Sequence, residues 1–127
     1  MILRQKIKSC SVTQIEKKSK SSSRFLASFL TPAELRYCKS KRHFAEPAAA
    51  RFAAKQACLG LFKISQAQAS RWFAQIEIKK TMQGQPVLKL SPAFRKQFKV
   101  LKNQRILLSL AHERTLAIAW AALVDHA

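Results

Sequence analysis

The sequence reads as an α+β chain, with helices first and antiparallel strands last. Three observations carry this. Thr31-Pro32-Ala33-Glu34 and the alanine-rich run after Pro47 set helical signals in the first half. From residue 73 onward apolar and polar residues alternate at the strand period. Gln83-Gly84-Gln85-Pro86 then turns that alternation back on itself.

Residues 1–12 read as a short strand with basic side chains at Arg4, Lys6 and Lys8. The polar, basic stretch 17–24 is either a solvated loop or the exposed face of a helix. Thr31 supplies a capping hydroxyl, Pro32 the first helical position and Glu34 the third, so a helix starts there and runs to about Ser40. It ends in the basic stretch 39–43. Pro47 opens the clearest helix, 47–62, in which Phe52, Ala53, Cys58, Leu59 and Phe62 supply apolar contacts and Gly60 weakens the last turn. A short polar helix covers 65–73.

Over 73–80, Ile76 and Ile78 alternate with Gln75, Glu77 and Lys79, a half-buried strand. Its hairpin partner is 87–90. Ser91-Pro92 caps another short helix over 93–101, with Arg95, Lys96, Lys99 and Lys102 as a basic face. Two final strands, 105–112 and 115–124, flank His112-Glu113-Arg114. Leu116, Ile118 and Trp120 share one face of the last strand.

The chain has 127 residues, 48% of them hydrophobic, which is the size and composition of one globular domain spanning 1–127. Two glycines and four prolines exclude a collagen-like chain. Twenty-four Lys and Arg against six Asp and Glu give a net charge of +18, more than solubility needs. Such a surface attracts polyanions: nucleic acid, anionic membrane, phosphorylated ligands or an acidic protein. Three cysteines without a CxxC pair read as reduced thiols of a cytoplasmic protein, Cys58 as a small core residue. The three histidines lack zinc-finger spacing. No apolar run reaches the roughly 18 residues of a membrane span, and residues 1–10 lack the apolar core of a signal peptide.

No phosphate-binding glycine loop, zinc-protease helix or nucleophile elbow is present. From residue types alone, His112 at a strand-to-strand turn is the best site candidate, as a general base or a phosphate contact. The competing reading is a solvated turn histidine.

The ordered blocks tip that balance. LTPAELRYCKSKR (30–42), RFAAKQA (51–57), IEIKKTMQGQPVLKL (76–90) and SLAHERTLAIAWAAL (109–123) stand in one order and spacing. In this the chain resembles the acyl-carrier-protein synthase family, the small 4′-phosphopantetheinyl transferases, over about residues 7 to 124. The resemblance implies an α+β fold, usually a homotrimer with active sites at subunit interfaces. It implies transfer of the phosphopantetheine arm of coenzyme A to a serine of an acidic acyl carrier protein. Mg²⁺ bridges the pyrophosphate in that family, and 3′,5′-adenosine bisphosphate leaves.

Carried over residue by residue, the resemblance makes His112 and Lys55 catalytic. It makes Arg51, Lys55, Gly84, Pro86, Ser109 and His112 coenzyme-binding. Lys17, Lys18, Lys20 and Arg24 fall in the family's carrier-protein docking region. The two family metal positions depart from the pattern: Ser11 stands for an aspartate and Gln56 for a glutamate. A family lysine four residues after that glutamate falls on Gly60. Ser and Gln can offer oxygen to Mg²⁺ but no charge.

Three readings follow. The first is a phosphopantetheinyl transferase, active or weakened. The second is a pseudoenzyme of the same fold that binds a carrier protein or a partner subunit without transfer, favoured by Ser11 and Gln56. The third is a basic nucleic-acid-binding module, which the charge and the aromatics Trp72, Phe73 and Phe98 support and the absence of a recognition motif opposes.

Overall fold

A computed structural model describes residues 1–126. Strand β1 (Ile2–Ser11) passes directly into helix α1 (Val12–Ser21). Ser11 makes the switch: its side-chain oxygen accepts from the Gln14 N–H at 3.2 Å and caps the helix. Val12 and Ile15, three apart, bury one helix face and leave the lysines outside. The strand therefore ends one residue before the predicted limit. The stretch 17–24 divides into the exposed end of α1 and a turn.

Helix α2 (Pro32–Lys39) carries the full capping box. Thr31 Oγ1 accepts from the Glu34 N–H at 3.2 Å, and the Glu34 carboxylate accepts from the Thr31 N–H at 2.7 Å. Helix α3 (Ala45–Leu61) begins two residues before Pro47, which sits in the first turn, where a missing N–H costs no helical bond. Ala48, Ala49, Ala50, Ala53, Ala54 and Ala57 are buried along it.

Helix α4 (Gln66–Trp72) is followed by a 3₁₀ turn at Phe73–Gln75, so β2 (Ile76–Lys80) starts later than the alternation implied. Strand β3 (Pro86–Leu90) pairs antiparallel with β2, with Ile78 opposite Leu88. Gly84 holds φ at 83°, the left-handed conformation that this turn needs. Helix α5 (Pro92–Gln97) is shorter than 93–101. The Arg95 guanidinium donates to the Leu101 and Gln104 carbonyls at 3.1 and 3.3 Å and folds the chain back, so Lys99 and Lys102 lie beyond the helix and the basic face is split.

Strands β4 (Gln104–His112) and β5 (Leu116–Asp125) complete a three-stranded antiparallel sheet in the order β1-β5-β4. Leu116, Ile118 and Trp120 do share a face of β5, and it is the outer one. The inner face presents Ala117, Ala119 and Ala121, all fully buried with the alanines of α3. Small residues on both sides let the helix lie close on the sheet.

Trp72, Phe62, Phe94 and Phe98 pack on one another with ring centroids 4.6 to 5.9 Å apart. Phe73 packs on Phe29 and Phe52. These aromatics pack against the core, with Phe94 buried and Trp72, Phe73 and Phe98 half-buried. The three cysteines are unpaired, and burial pushes the Cys38 thiol up to about 11 and the Cys58 thiol further. Among the described residues no helix is long and apolar enough to cross a membrane.

Candidate active site

The site grows from α3, and a buried polar cluster fixes that helix. Lys55 Nζ donates to the Glu34 carboxylate at 2.7 Å and to the carbonyls of Phe29 at 2.7 Å and Phe73 at 2.9 Å. The second Glu34 oxygen accepts from the Ile78 N–H at 2.8 Å, and Thr31 Oγ1 donates to Glu77 at 2.8 Å. One lysine thus ties α3 to α2, β2 and two 3₁₀ turns. Burial pushes its ammonium below the ordinary lysine range against the opposing pull of Glu34. Lys55 is 0% exposed and has three N–H donors in use. Its three bonds hold the scaffold together, and its ammonium does not line the cavity at Arg51.

Arg51 lies one turn earlier on α3 and is almost as deeply buried. Its guanidinium stacks 4.3 Å from the Tyr37 ring centroid, and Nη1 donates to the Pro47 carbonyl at 3.3 Å. Its Nε–H is buried with no hydrogen-bond partner among the described residues. An orphaned buried donor is costly and is a place for a ligand oxygen. Lys41 and Lys80 also approach the Tyr37 ring, at 4.9 and 5.6 Å. Burial raises the Tyr37 phenol, but the neighbouring cations Lys80, Lys41 and Arg51 outweigh it and leave the phenol below its ordinary value.

Arg51, Lys80, Gly84, Pro86 and His112 line one cavity of 110 Å³. Four of the six expected coenzyme-binding residues therefore meet, from α3, the β2–β3 turn and the end of β4. The His112 ring is set by Glu46, whose carboxylate faces Nδ1 at 3.3 Å. A carboxylate only accepts, so Nδ1 carries the proton and Nε2 is left as the acceptor, without a partner among the described residues. Glu113, the neighbour in sequence, instead accepts from Thr115. Ser109 is three residues before His112 and points to the other strand face. It lines a larger opening of 580 Å³ between β3 and β4, which shares Pro86 and Leu110 with the cationic cavity.

Ser11 and Gln56 lie elsewhere. Ser11 Oγ is used as the α1 cap, and Gln56 Oε1 accepts from Gln66 Nε2 at 3.0 Å. Both donors are neutral and already engaged, and among the described residues no three His, Cys, Asp or Glu side chains form a metal set. These positions do not fit a divalent cation. Neither residue lines the cavity. Lys17 and Lys18 on α1 and Arg24 in the turn after it are exposed, Lys18 lying 5.8 Å over the Phe25 ring. Sequence reasoning missed Tyr37, Lys80 and the Glu46–His112 pair. Tyr37 stood inside a quoted block, but its partners come from three separate elements.

The fold and the cavity define a small α+β protein that gathers cations and an oriented histidine in one cavity beside the end of β4. No family model matches the chain. A holo-[acyl-carrier-protein] synthase of Halothermothrix orenii is 36% identical over 97 residues, 76% of each chain. The crystal structure of the Helicobacter pylori holo-[acyl-carrier-protein] synthase in complex with coenzyme A matches 95% of this chain and 100% of that one, with a TM-score of 0.80 and 28% identity. The Bacillus anthracis holo-(acyl-carrier-protein) synthase in complex with CoA (3′,5′-ADP) matches 99% of both chains, with a TM-score of 0.79 and 26% identity. The chain belongs to the holo-[acyl-carrier-protein] synthase family.

Proposed function

We propose that this protein is a 4′-phosphopantetheinyl transferase that moves phosphopantetheine from coenzyme A to a serine of an acidic acyl carrier protein. The observation that carries the reading is the cavity at Arg51, with its orphaned Nε–H beside Lys80, Gly84, Pro86 and His112. Cations of this kind hold phosphate oxygens, and the adjoining opening past Pro86 and Leu110 suits an extended, partly apolar arm. In the reaction the carrier serine oxygen bonds to the β-phosphorus and the phosphoanhydride bond breaks. The electron pair leaves with 3′,5′-adenosine bisphosphate. His112 Nε2, aimed by Glu46, accepts the serine proton. Arg51 and Lys80 stabilise the charge that develops on the leaving phosphate.

The working unit is a homotrimer with the site across a subunit boundary. Two observations support this. Ser11 ends one edge strand of the sheet, β1, and His112 ends the other, β4. The outer sheet face carries Ile7 (67% exposed), Leu116 and Ile118, an apolar surface suited to a second copy. We read residues 1–127 as one such domain acting in the cytoplasm, where carrier protein and reduced thiols meet. Lys17, Lys18 and Arg24 form the surface for the acidic carrier.

The second reading, binding without transfer, is favoured by the neutral, occupied Ser11 and Gln56. Intact-mass measurement of apo acyl carrier protein after incubation with this protein and coenzyme A separates the two. An added phosphopantetheine establishes the transferase. No addition, beside a working control enzyme, leaves the binding protein.

A further inference from the structure

Helix α3 is bordered on its β1 side by a row of cations. The Arg4 guanidinium lies 5.3 Å over the Phe62 ring at the end of the helix. The Lys6 stem crosses Gly60: a Cβ placed on that glycine would stand 3.3 Å from Lys6 Cγ, 3.5 Å from Cδ and 3.8 Å from Cε. Moving from 4 to 6 on the strand moves from 62 to 60 on the helix, so β1 runs antiparallel to α3. Lys8 is the next residue on that strand face, and Gln56 lies one helical turn before Gly60.

Arg4, Lys6 and Lys8 share one strand face and are exposed. Neither lysine has an ion-pair or hydrogen-bond partner among the described residues. The absence of a side chain at Gly60 is what lets the Lys6 stem lie flat on the helix. The same ground holds Gln56, a neutral amide. It carries two positive groups and no negative one, which repels a dication and attracts a dianion.

We propose that the Lys6 and Lys8 ammonium groups, laid along α3 past Gly60 and Gln56, supply the positive charge against a nucleotide diphosphate that a divalent cation would otherwise supply, so that this chain binds coenzyme A without metal. This rests on the coenzyme reading above. An ammonium offers charge-assisted hydrogen bonds to phosphate oxygens and needs no carboxylates to retain it. Gly60 and Lys6 act as a pair, the helix giving up bulk where the strand brings in charge.

The test is calorimetric titration of the full chain with coenzyme A, in excess EDTA and in excess Mg²⁺. The expected result is equal affinity in both, and a loss of roughly ten- to hundredfold in Lys6→Gln/Lys8→Gln, the scale of one or two charge-assisted contacts. Both lysines are exposed, so thermal unfolding of that variant matches the parent. Lys89→Gln/Lys102→Gln removes the same charge elsewhere and is expected to leave affinity within about twofold. Binding that requires Mg²⁺ overturns the proposal. So does unchanged affinity in Lys6→Gln/Lys8→Gln, which leaves the lysines as guards of an open sheet edge. Equal losses in the two double variants overturn it too, by reducing it to net charge. If the parent binds no coenzyme A under either condition, the coenzyme reading itself falls and this proposal with it.

Discussion

Lys55 and Arg51 stand four apart on one helix and share its inward side, yet they do different work. Lys55 is paired with Glu34 at 2.7 Å and wholly enclosed. Removing one member of such a pair strands the other, so Lys55→Met is expected to cost about 3–5 kcal/mol in urea unfolding. Glu34→Gln/Lys55→Met should cost less than the two single changes added. Arg51 keeps a buried Nε–H without a partner among the described residues, and Tyr37 reports on its guanidinium. Tyr37 is the only tyrosine in the chain, so its ultraviolet titration is read without overlap. Its native midpoint is expected below that of the unfolded chain, and Arg51→Gln should raise it. A phenol whose value falls on folding adds stability that is fully present above its unfolded value and is lost as pH drops through the native one. Coenzyme A, by occupying the same cations, should raise the midpoint as well. These roles were only partly legible in sequence. Thr31 and Glu34 announce a cap because their partners lie within one turn. Nothing local announces that Lys55 meets Glu34, Phe29 and Phe73, which lie 21, 26 and 18 residues away.

Helix α1 shows why some elements escape a reading of periodicity. It has ten residues, five of them Ser or Lys after the first turn, and only Val12 and Ile15 face inward. Its start depends on the Ser11 cap, and short helices owe their stability to such ends and to packing. The alternating strands and the capped helices were readable because their signals are dense. The polarity of β5 was less so. Its bulky residues face out and its alanines face in, because α3 comes close enough to need the small side. Ala119→Val would thrust two methyl groups into that contact. It is expected to cost about 1–3 kcal/mol in chemical denaturation, against near neutrality for Ala→Val at an exposed strand position such as Ala111. An unaltered midpoint for Ala119→Val would show that the helix and sheet are not held at close range.

For the whole molecule, the proposed homotrimer would bring the Ser11 edge of one sheet, at β1, to the His112 edge of another copy, at β4. The exposed Ile7, Leu116 and Ile118 lie on the face available to other copies. Ile118→Glu is expected to reduce the mass seen by light scattering to that of one chain and to remove transfer, with circular dichroism unchanged. A full-size assembly in that variant would place the contact on another face. The split also bears on mixtures. In the proposed homotrimer, a chain damaged only at its β1 edge and a chain damaged only at its β4 edge would each be inert as pure assemblies. Co-assembled, one lends the edge that the other lacks, and some boundaries become whole. Two lesions that are each null would then complement when co-expressed, while two lesions at the same edge would not. The geography of the sheet thus becomes a genetic test, in which recovery of activity sorts every inactivating substitution to one edge or the other.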